Sequence, residues 1–421
     1  MKQIQYNIAC FFFVFATMQA QEGMVHNKGV FVIKPQSQIG VKGSFINANT
    51  GDVLNDGEIH FYNHYTNEGL FSYTTNRTTG YVVFSGNTSN VQDIKGSSPS
   101  FFYNVLFNKI SNQPAFNVTN ETTYSGNVNL SEGVVLVDKE MGGAFVFLPG
   151  ATHINTSNRS HVDGEVIKEG KESFKYPIGN GGFYRMAGIS APTNIAESLS
   201  GQYFFENPTI SRDAKNRTGI IEEVNQQEYW VIQPTKDTNE SVLLTLSWDN
   251  ATTPSSLLQN DAKELHIIRW DENQKLWVDE GGVVDFASQT ITTPVKVDGY
   301  GVFTLGRIRP HLLFEGDVVI YNSVTPNSDG MNDYFIIDNI QNFPRNTVSI
   351  YSRWGQKVFE TEAYDTNGNV FTGVAQGKGV VSSGRQLPSG TYYYILEYYT
   401  TNNGVEKLNK KVGYLHLESI Y

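Results

Sequence analysis

The stretch NDGEIHFYN, residues 55–63, decides how the first part of the chain folds. A polar residue and a glycine precede a short strand, in which Ile59 and Phe61 alternate with Glu58 and His60 as the two faces of a strand require. We expect each such unit to place its Gly or Asn at a left-handed turn position. Comparable units are NKGVFVI (27–33), NEGLFSYT (67–74), TTGYVVFSG (78–86), SEGVVLVD (131–138) and MGGAFVFLPG (141–150).

Repetition of this unit favours a stacked architecture over residues 21–167. A single strand with one apolar face cannot bury that face alone, whereas stacked coils bury it against one another. We therefore predict a β-solenoid or β-helix-like region here. A β-sandwich is the alternative that the irregular spacing of the units leaves open.

Residues 168–309 predict a central antiparallel β-sandwich. Alternating apolar runs follow one another with turn residues between them, and residues 265–279 indicate a hairpin. Trp230, Trp248, Trp270 and Trp277 are expected to fill its core. If those rings instead lay on the surface, they would form an aromatic platform for sugars.

The amino terminus has the pattern of a secretory signal peptide over residues 1–20. Lys2 precedes an apolar run at 8–18, and Ala20 supplies a small residue before the expected cut. The run is too short for a mature membrane helix. Cys10, the single cysteine, lies within this segment, so the mature chain is expected to contain no disulfide and no thiolate site.

Composition and motifs argue against two functional classes. A net charge of -11 without a clustered basic face argues against a nucleic-acid-binding footprint. Neither a GxSxG nucleophile elbow nor a phosphate-binding or dinucleotide-binding glycine loop occurs, so we expect no enzyme. Acidic residues are plentiful and their pairing in space is invisible in sequence, which leaves a β-helix polysaccharide-active enzyme as an alternative.

The last quarter of the chain, 315–421 after a linker at 310–314, predicts an Ig-like antiparallel β-sandwich. Residues 353–356 occupy the turn of one hairpin, and residues 402–404 the turn of another. Five sequence blocks stand out in this unit: TPNSDGMNDYF (325–335), VSIYSRWGQKVFE (348–360), YD (364–365) with NVFTG (369–373), LPSGTYYYIL (387–396) and KKVGYLHLE (410–418).

These five blocks resemble the gliding motility-associated C-terminal domain, the type B sorting domain of Bacteroidetes proteins exported by the type IX secretion system. The sequence departs from the family pattern at Ser328, where the family often has Gly. A looser resemblance covers DGEVIKEGKESFKYPIGNGGFYR (163–185), which is similar to upstream regions of surface proteins in the same group.

The resemblance implies a route and partners. A chain with this domain crosses the outer membrane to the cell surface or the medium. The type IX translocon and a PorP/SprF-like outer-membrane protein recognise the domain. Gliding adhesins are among the relatives, so we expect an adhesin-like or structural surface protein that contacts glycans or other adhesion targets. The residues expected to serve sorting and recognition are Thr325, Pro326, Asn327, Asp329, Gly330, Asn332, Asp333, Arg353, Trp354, Gly355, Pro388, Gly390, Tyr392, Lys411 and Gly413.

The oxygen-rich turn that opens this unit has three interpretations. Pro326 and Gly330 suit a plain structural turn. Asn327, Asp329 and Asp333 carry the hard oxygen ligands that Ca²⁺ prefers, although the run is shorter than an EF-hand loop. The turn is also a candidate recognition surface for the secretion machinery. No other cofactor is expected.

Overall fold

The computed structural model describes residues 23–86, 90–111, 114–218, 220–236, 240–259, 264–308, 318–327, 332–380, 383–402 and 405–419. These residues form strands and turns, with short 3-10 turns at Pro208–Ile210 and Ile340–Asn342. Within these ranges there is no α-helix, and accordingly no helix of the length and apolarity needed to cross a bilayer. The expected signal peptide and linker lie outside the described residues.

The first part of the chain is a stack of coils, each built from three short strands. The chain passes through three parallel sheets in turn, and the third sheet has 6 strands, one for each complete coil. The strands are β1 (Met24–Asn27), β2 (Val30–Ile33), β3 (Gln38–Val41), β4 (Ser44–Asn47), β5 (Asp52–Asn55), β6 (Glu58–Phe61), β7 (Tyr65–Asn67), β8 (Leu70–Ser72), β9 (Tyr81–Ser85), β10 (Gln92–Lys95), β11 (Ser100–Phe102), β12 (Asn104–Asn108), β13 (Phe116–Val118), β14 (Glu121–Tyr124), β15 (Asn127–Glu132), β16 (Val135–Val137), β17 (Ala144–Phe147), β18 (Thr152–Ile154), β19 (Val162–Asp163) and β20 (Val166–Glu169). The solenoid prediction is confirmed, and the sandwich alternative for this region is wrong.

Three glycines of the repeat have a different role from the one expected, whereas Gly133 and Gly142 adopt the predicted positive φ, at 97° and 91°. Gly57, Gly69 and Gly80 do not adopt a left-handed conformation. Instead, a Cβ at Gly69 would lie 2.2 Å from the carbonyl oxygen of Gly51, and one at Gly57 would lie 2.4 Å from that of Lys34. Each glycine is therefore required because the backbone of the preceding coil approaches too closely for any side chain. The irregular spacing of the units follows as well, since they occupy different corners of the coil.

Two ladders hold the coils in register. Phe61, Phe84 and Phe107 stack in the interior with ring centroids 5.5 Å apart at each step. At one corner, Nδ2 of Asn47 donates to Oδ1 of Asn67 at 2.8 Å, and Nδ2 of Asn27 donates to Oδ1 of Asn47 at 2.9 Å. Stacking identical side chains satisfies buried amides with each other, as in cross-β structures.

The central region continues the solenoid without a break in hydrogen bonding. β20 pairs antiparallel with the first long strand after it, so one sheet of 13 strands runs through both regions. A second sheet of 5 strands packs against it across a shared hydrophobic core, as the sandwich prediction requires. The strands are β21 (Phe174–Tyr176), β22 (Gly179–Asn180), β23 (Phe183–Tyr184), β24 (Ala187–Ile189), β25 (Ser198–Phe204), β26 (Ile221–Val224), β27 (Tyr229–Pro234), β28 (Leu244–Ser247), β29 (Leu265–Asp271), β30 (Leu276–Gly281), β31 (Val283–Asp285), β32 (Thr290–Thr292) and β33 (Gly301–Ile308).

The four tryptophans of this region are buried, as predicted. Trp230 and Trp277 have no exposed surface, and Trp248 and Trp270 are nearly as enclosed. Buried rings cannot stack on a sugar, so the aromatic platform built from these residues is wrong.

The C-terminal region has its own core around a mixed sheet of 5 strands in the order β35, β40, β39, β37, β38. Its strands are β34 (Val319–Ile320), β35 (Ser323–Val324), β36 (Ile337–Asp338), β37 (Asn346–Ser352), β38 (Lys357–Glu362), β39 (Gly390–Asn402) and β40 (Val405–Leu417). The sheet is not purely antiparallel, because β35 pairs parallel with β40. Both predicted hairpins are present, although residues 403–404 of the second turn lie outside the described residues.

Candidate functional site

Trp354 is the most exposed large hydrophobic residue in the described part of the C-terminal region, and Arg353 lies beside it. They lie at the tip of the hairpin between β37 and β38, where 71% of Trp354 is exposed and the guanidinium of Arg353 lies 4.3 Å from its ring centroid. The turn is closed by hydrogen bonds from Gly355 N to Ser352 O (2.9 Å) and from Ser352 N to Gln356 O (2.8 Å). Gly355 adopts a φ of 73°, which favours glycine. This tip projects a stacked cation and aromatic ring into solvent.

The YD and NVFTG blocks have a structural role. The Tyr364 hydroxyl donates to the carbonyl of Phe335 at 2.6 Å and accepts from the amide of Phe371 at 3.0 Å. Asn369 Nδ2 donates to the carbonyls of Glu362 (2.8 Å) and Ala363 (2.9 Å). These contacts fasten the segment after β38 to the segment that opens the region, because each polar group in the core must find a partner.

Three of the expected recognition residues, Tyr392, Lys411 and Gly413, lie in strands of the C-terminal sheet. Tyr392 is buried, and its hydroxyl donates to the carbonyl of Pro388 at 2.8 Å, which fixes the turn before Gly390. At Gly413 a Cβ would lie 2.6 Å from the hydroxyl oxygen of Tyr394, so only glycine fits beneath that ring. Lys411 Nζ donates to the carbonyl of Val318 at 3.3 Å.

The oxygen-rich turn is only partly within the described residues, since 328–331, with Asp329 and Gly330, lie outside them. On its two sides, Thr325 N donates to Asn332 O at 2.7 Å, and Asn332 adopts a φ of 54° beside Asp333. Asn327 N donates to Thr325 O at 2.7 Å, which tightens the chain after Pro326. Nowhere in the described part of the chain do three His, Cys, Asp or Glu side chains come together as for a metal. The calcium site therefore stays a prediction.

The C-terminal sheet also packs on the central region. Val412 and Ile395 contact Val295 in a small apolar cluster, and Lys410 forms an ion pair with Asp298. Glu280, fully buried beneath them, accepts from Arg269 Nε at 2.8 Å. Burial raises the pKa of the Glu280 carboxyl. Sequence reasoning missed this contact, because Lys410 and Asp298 lie far apart in the chain and no local pattern links them.

The looser resemblance at 163–185 also maps to packing. Arg185 is buried, with Nε 3.6 Å from the Glu228 carboxylate and hydrogen-bonded to Thr252 Oγ1 at 2.7 Å. Tyr203 donates to Glu228 at 2.8 Å, and burial raises the pKa of that carboxyl. Glu228 is enclosed in this network, whereas Asp249, 3.4 Å from Arg185 Nη2, keeps 41% of its side chain exposed.

Comparison with known families adds the deciding observation: residues 318–417 match the family model of the CHU_C type IX secretion signal domain. The C-terminal region is a type IX secretion signal domain. The comparison with curated proteins gives no match, and neither does the comparison with solved structures.

The match confirms the sorting-domain resemblance and fixes the route. The signal domain interacts with the type IX secretion machinery and directs export out of the cell, to the surface or the extracellular space. Several of its sequence marks (Tyr364, Asn369, Gly413) stabilise the domain itself, whereas Arg353 and Trp354 are exposed to solvent. The recognition role assigned to each residue remains a prediction.

Proposed function

We propose that the chain is a non-enzymatic, adhesin-like or structural surface protein whose signal domain delivers the solenoid and central region to the cell surface. The observation that carries this proposal is the signal domain at 318–417, joined to a long, closely packed β architecture. A role in attachment or gliding, with surface glycans or other adhesion targets as ligands, is part of the proposal. No cofactor is proposed.

The outer faces of the solenoid support a binding or scaffolding role. Polar side chains form rows across the coils, as where Asn127 donates to Thr152 at 3.0 Å and Asn155 donates to Asn129 at 2.9 Å. Such rows make flat, rigid surfaces suited to extended partners rather than a cleft around a reacting group.

The hairpin tip supports a specific contact with the export machinery. Trp and Arg are the residues most often found at energetic centres of protein interfaces. We propose that Trp354, stacked on Arg353, enters a pocket of a PorP/SprF-like outer-membrane partner.

A transfer experiment in a gliding Bacteroidetes host tests the export half of the proposal. Residues 1–24 and 315–421 flank a fluorescent protein that folds in the periplasm, and a matched fusion lacks 315–421. Export of the first fusion alone, and only with an intact secretion system, is the expected result. Periplasmic retention of both, with a matched PorP/SprF-like protein supplied, would overturn it.

Deletion of the gene tests the adhesion half. Loss of surface attachment or colony spreading, restored by the full chain, is expected. Unchanged attachment together with release of reducing sugar or unsaturated product from polysaccharide would instead establish the enzyme alternative.

A further inference from the structure

Among the described residues, which begin at Gly23, no element covers the amino-terminal end of the solenoid. In deeper coils the inward side chains Phe45, Val53 and Ile59 are fully buried. Their counterparts in the first coil are Val25, Phe31 and Ile39, and Val25 is 44% exposed. The end of the stack therefore shows the apolar cross-section of the core to solvent.

The opposite end of the solenoid is closed. There β20 pairs with β25, and the buried Lys168 ammonium donates to the carbonyls of Leu148 (2.9 Å) and Glu169 (2.8 Å). Stacked-repeat proteins ordinarily cover both ends with polar caps. Only one end has this protection among the described residues.

Strand β2 presents an unpaired edge at the open end. Gly29 O and Ile33 O accept hydrogen bonds from the next coil, at Asp52 N (3.0 Å) and Asp56 N (2.9 Å). Since successive residues of a strand point their backbone groups to opposite sides, Val30 and Val32 point theirs away from β5. No other strand in the described ranges pairs with that edge.

Two apolar side chains are exposed on the outer face of this edge strand, Val30 at 77% and Val32 at 46%. On the neighbouring strand β5, Asp52 lies beside Val30 and Leu54 beside Val32. An open strand edge with exposed apolar side chains is a template for pairing with another chain. A strand added to β2 would cover Phe31 on one face and adjoin Val30 and Val32 on the other.

The charged residues that flank β2 along the chain are lysines, whereas Asp52 lies beside Val30 on the paired side of the strand. Lys28 precedes the strand and Lys34 follows it, and residues 23–43 contain these two and Lys42 but no Asp or Glu, in a chain of net charge -11. Lysines at a strand edge discourage pairing with a like-charged copy. They attract an edge of opposite charge instead.

We propose that the β2 edge binds an extended acidic segment of another polypeptide, which adds a strand with an apolar run flanked by Asp or Glu. Backbone hydrogen bonds to Val30 and Val32 supply affinity, and the carboxylates pair with Lys28 and Lys34. A second copy of the chain would place its own lysines against Lys28 and Lys34, and these like charges repel each other. A lipid surface would leave the backbone groups of the edge without strand partners. This inference does not rest on the proposed adhesin role.

Peptide binding to the chain from Gln21 to Tyr421 tests the proposal. The probe is a fluorescent peptide with the run Val-Ile-Val-Ile between pairs of glutamates, and its counterpart carries lysine pairs. Fluorescence anisotropy should show saturable binding of the glutamate peptide at least about tenfold tighter than that of the lysine peptide. The double variant Lys28→Glu, Lys34→Glu should reverse this preference.

Val32→Pro separates edge pairing from general charge attraction. Proline removes an open-edge N–H but no bond to β5, and edge strands tolerate it. We expect unchanged melting and loss of glutamate-peptide binding. Retained binding in this variant would overturn the proposal. So would a wild-type dimer in sedimentation that Val32→Pro dissolves, or binding to anionic phosphatidylglycerol vesicles with none to the peptide.

Discussion

Lys410, in the last strand of the signal domain, forms an ion pair with Asp298 of the central region. The contact joins two regions with separate hydrophobic cores. Burial alone would lower the pKa of Lys410, but the carboxylates of Glu280 and Asp298 raise it. The Lys410 ammonium and the Arg269 guanidinium therefore together balance the buried Glu280 carboxyl.

Lys410→Met should loosen the signal domain from the central region. The change leaves the Glu280 and Asp298 carboxylates with one fewer cation, and breaking a buried pair costs about 3 kcal/mol, less here because Asp298 is partly exposed. Urea unfolding monitored by tryptophan fluorescence would measure the loss. The control Lys378→Met removes an exposed lysine of the same domain and should change little. Equal effects of the two variants would contradict the assigned role.

His161 should make the junction between solenoid and central region sensitive to acid. Burial lowers the pKa of this imidazole from its usual 6.5, and its Nδ1 donates to the carbonyl of Ser157 at 3.0 Å. Because the folded pKa is depressed, its contribution to stability is complete above pH 6.5 and is lost as the pH falls below that value. Unfolding free energies from pH 5 to 8 should show this slope.

His161→Asn keeps a donor toward Ser157 but does not titrate. The variant should therefore have a smaller loss of stability between about pH 6.5 and 5 than the natural chain. His26→Asn, at an exposed position, serves as control. An unchanged slope in His161→Asn would assign the acid sensitivity to other groups.

Asn67→Ala should weaken the solenoid from within. Asn67 accepts from Asn47 at 2.8 Å, and its Nδ2 donates to the carbonyl of Pro99 at 3.0 Å. Leaving these buried groups without partners costs about 2 kcal/mol. Asn27→Ala at the half-exposed end of the same ladder should cost about 0.5 kcal/mol, because water replaces the lost bond. Chemical unfolding of both variants would measure the two losses in unfolding free energy. Equal losses would contradict a stabilising role for the buried part of the asparagine ladder.

The sequence was informative wherever local chemistry repeats. Repetition of the unit in NDGEIHFYN favoured the solenoid but left a β-sandwich open, and the order of five blocks sufficed for the signal domain. The reason for the glycines was not visible, because Gly69 is constrained by Gly51 of the preceding coil and not by its own φ. Likewise, nothing local distinguishes the buried Tyr392 from the exposed Trp354. Which residues of a motif stabilise the domain and which face a partner depends on long-range packing.

Gly413→Ala should destabilise the signal domain through one neighbour. The new methyl group would lie 2.6 Å from the Tyr394 hydroxyl oxygen and force that buried ring to move, at a cost of about 1 to 3 kcal/mol. Tyr394→Phe removes the closest atom. The double variant should therefore be more stable than the sum of the two single changes predicts. Strict additivity in unfolding experiments would show that the contact is not the constraint.

Trp354→Ala should reduce export without affecting folding. The ring is exposed at the hairpin tip, so its removal should change unfolding free energy by no more than about 0.5 kcal/mol. If the ring fills a pocket of the secretion partner, its loss should reduce export about tenfold or more, as for an interface residue of central importance. The readout is surface fluorescence of the transfer fusion, divided by total fusion protein.

A second arginine–aromatic pair on the same domain supplies the control. The guanidinium of Arg345 lies 4.2 Å from the ring centroid of Tyr399, away from the tip. Tyr399→Ala should leave export unchanged. If both variants reduce export equally, the domain is recognised over a broad surface; if neither does, the tip is not the contact and the oxygen-rich turn becomes the next surface to test, by Asn327→Ala and Asp333→Ala.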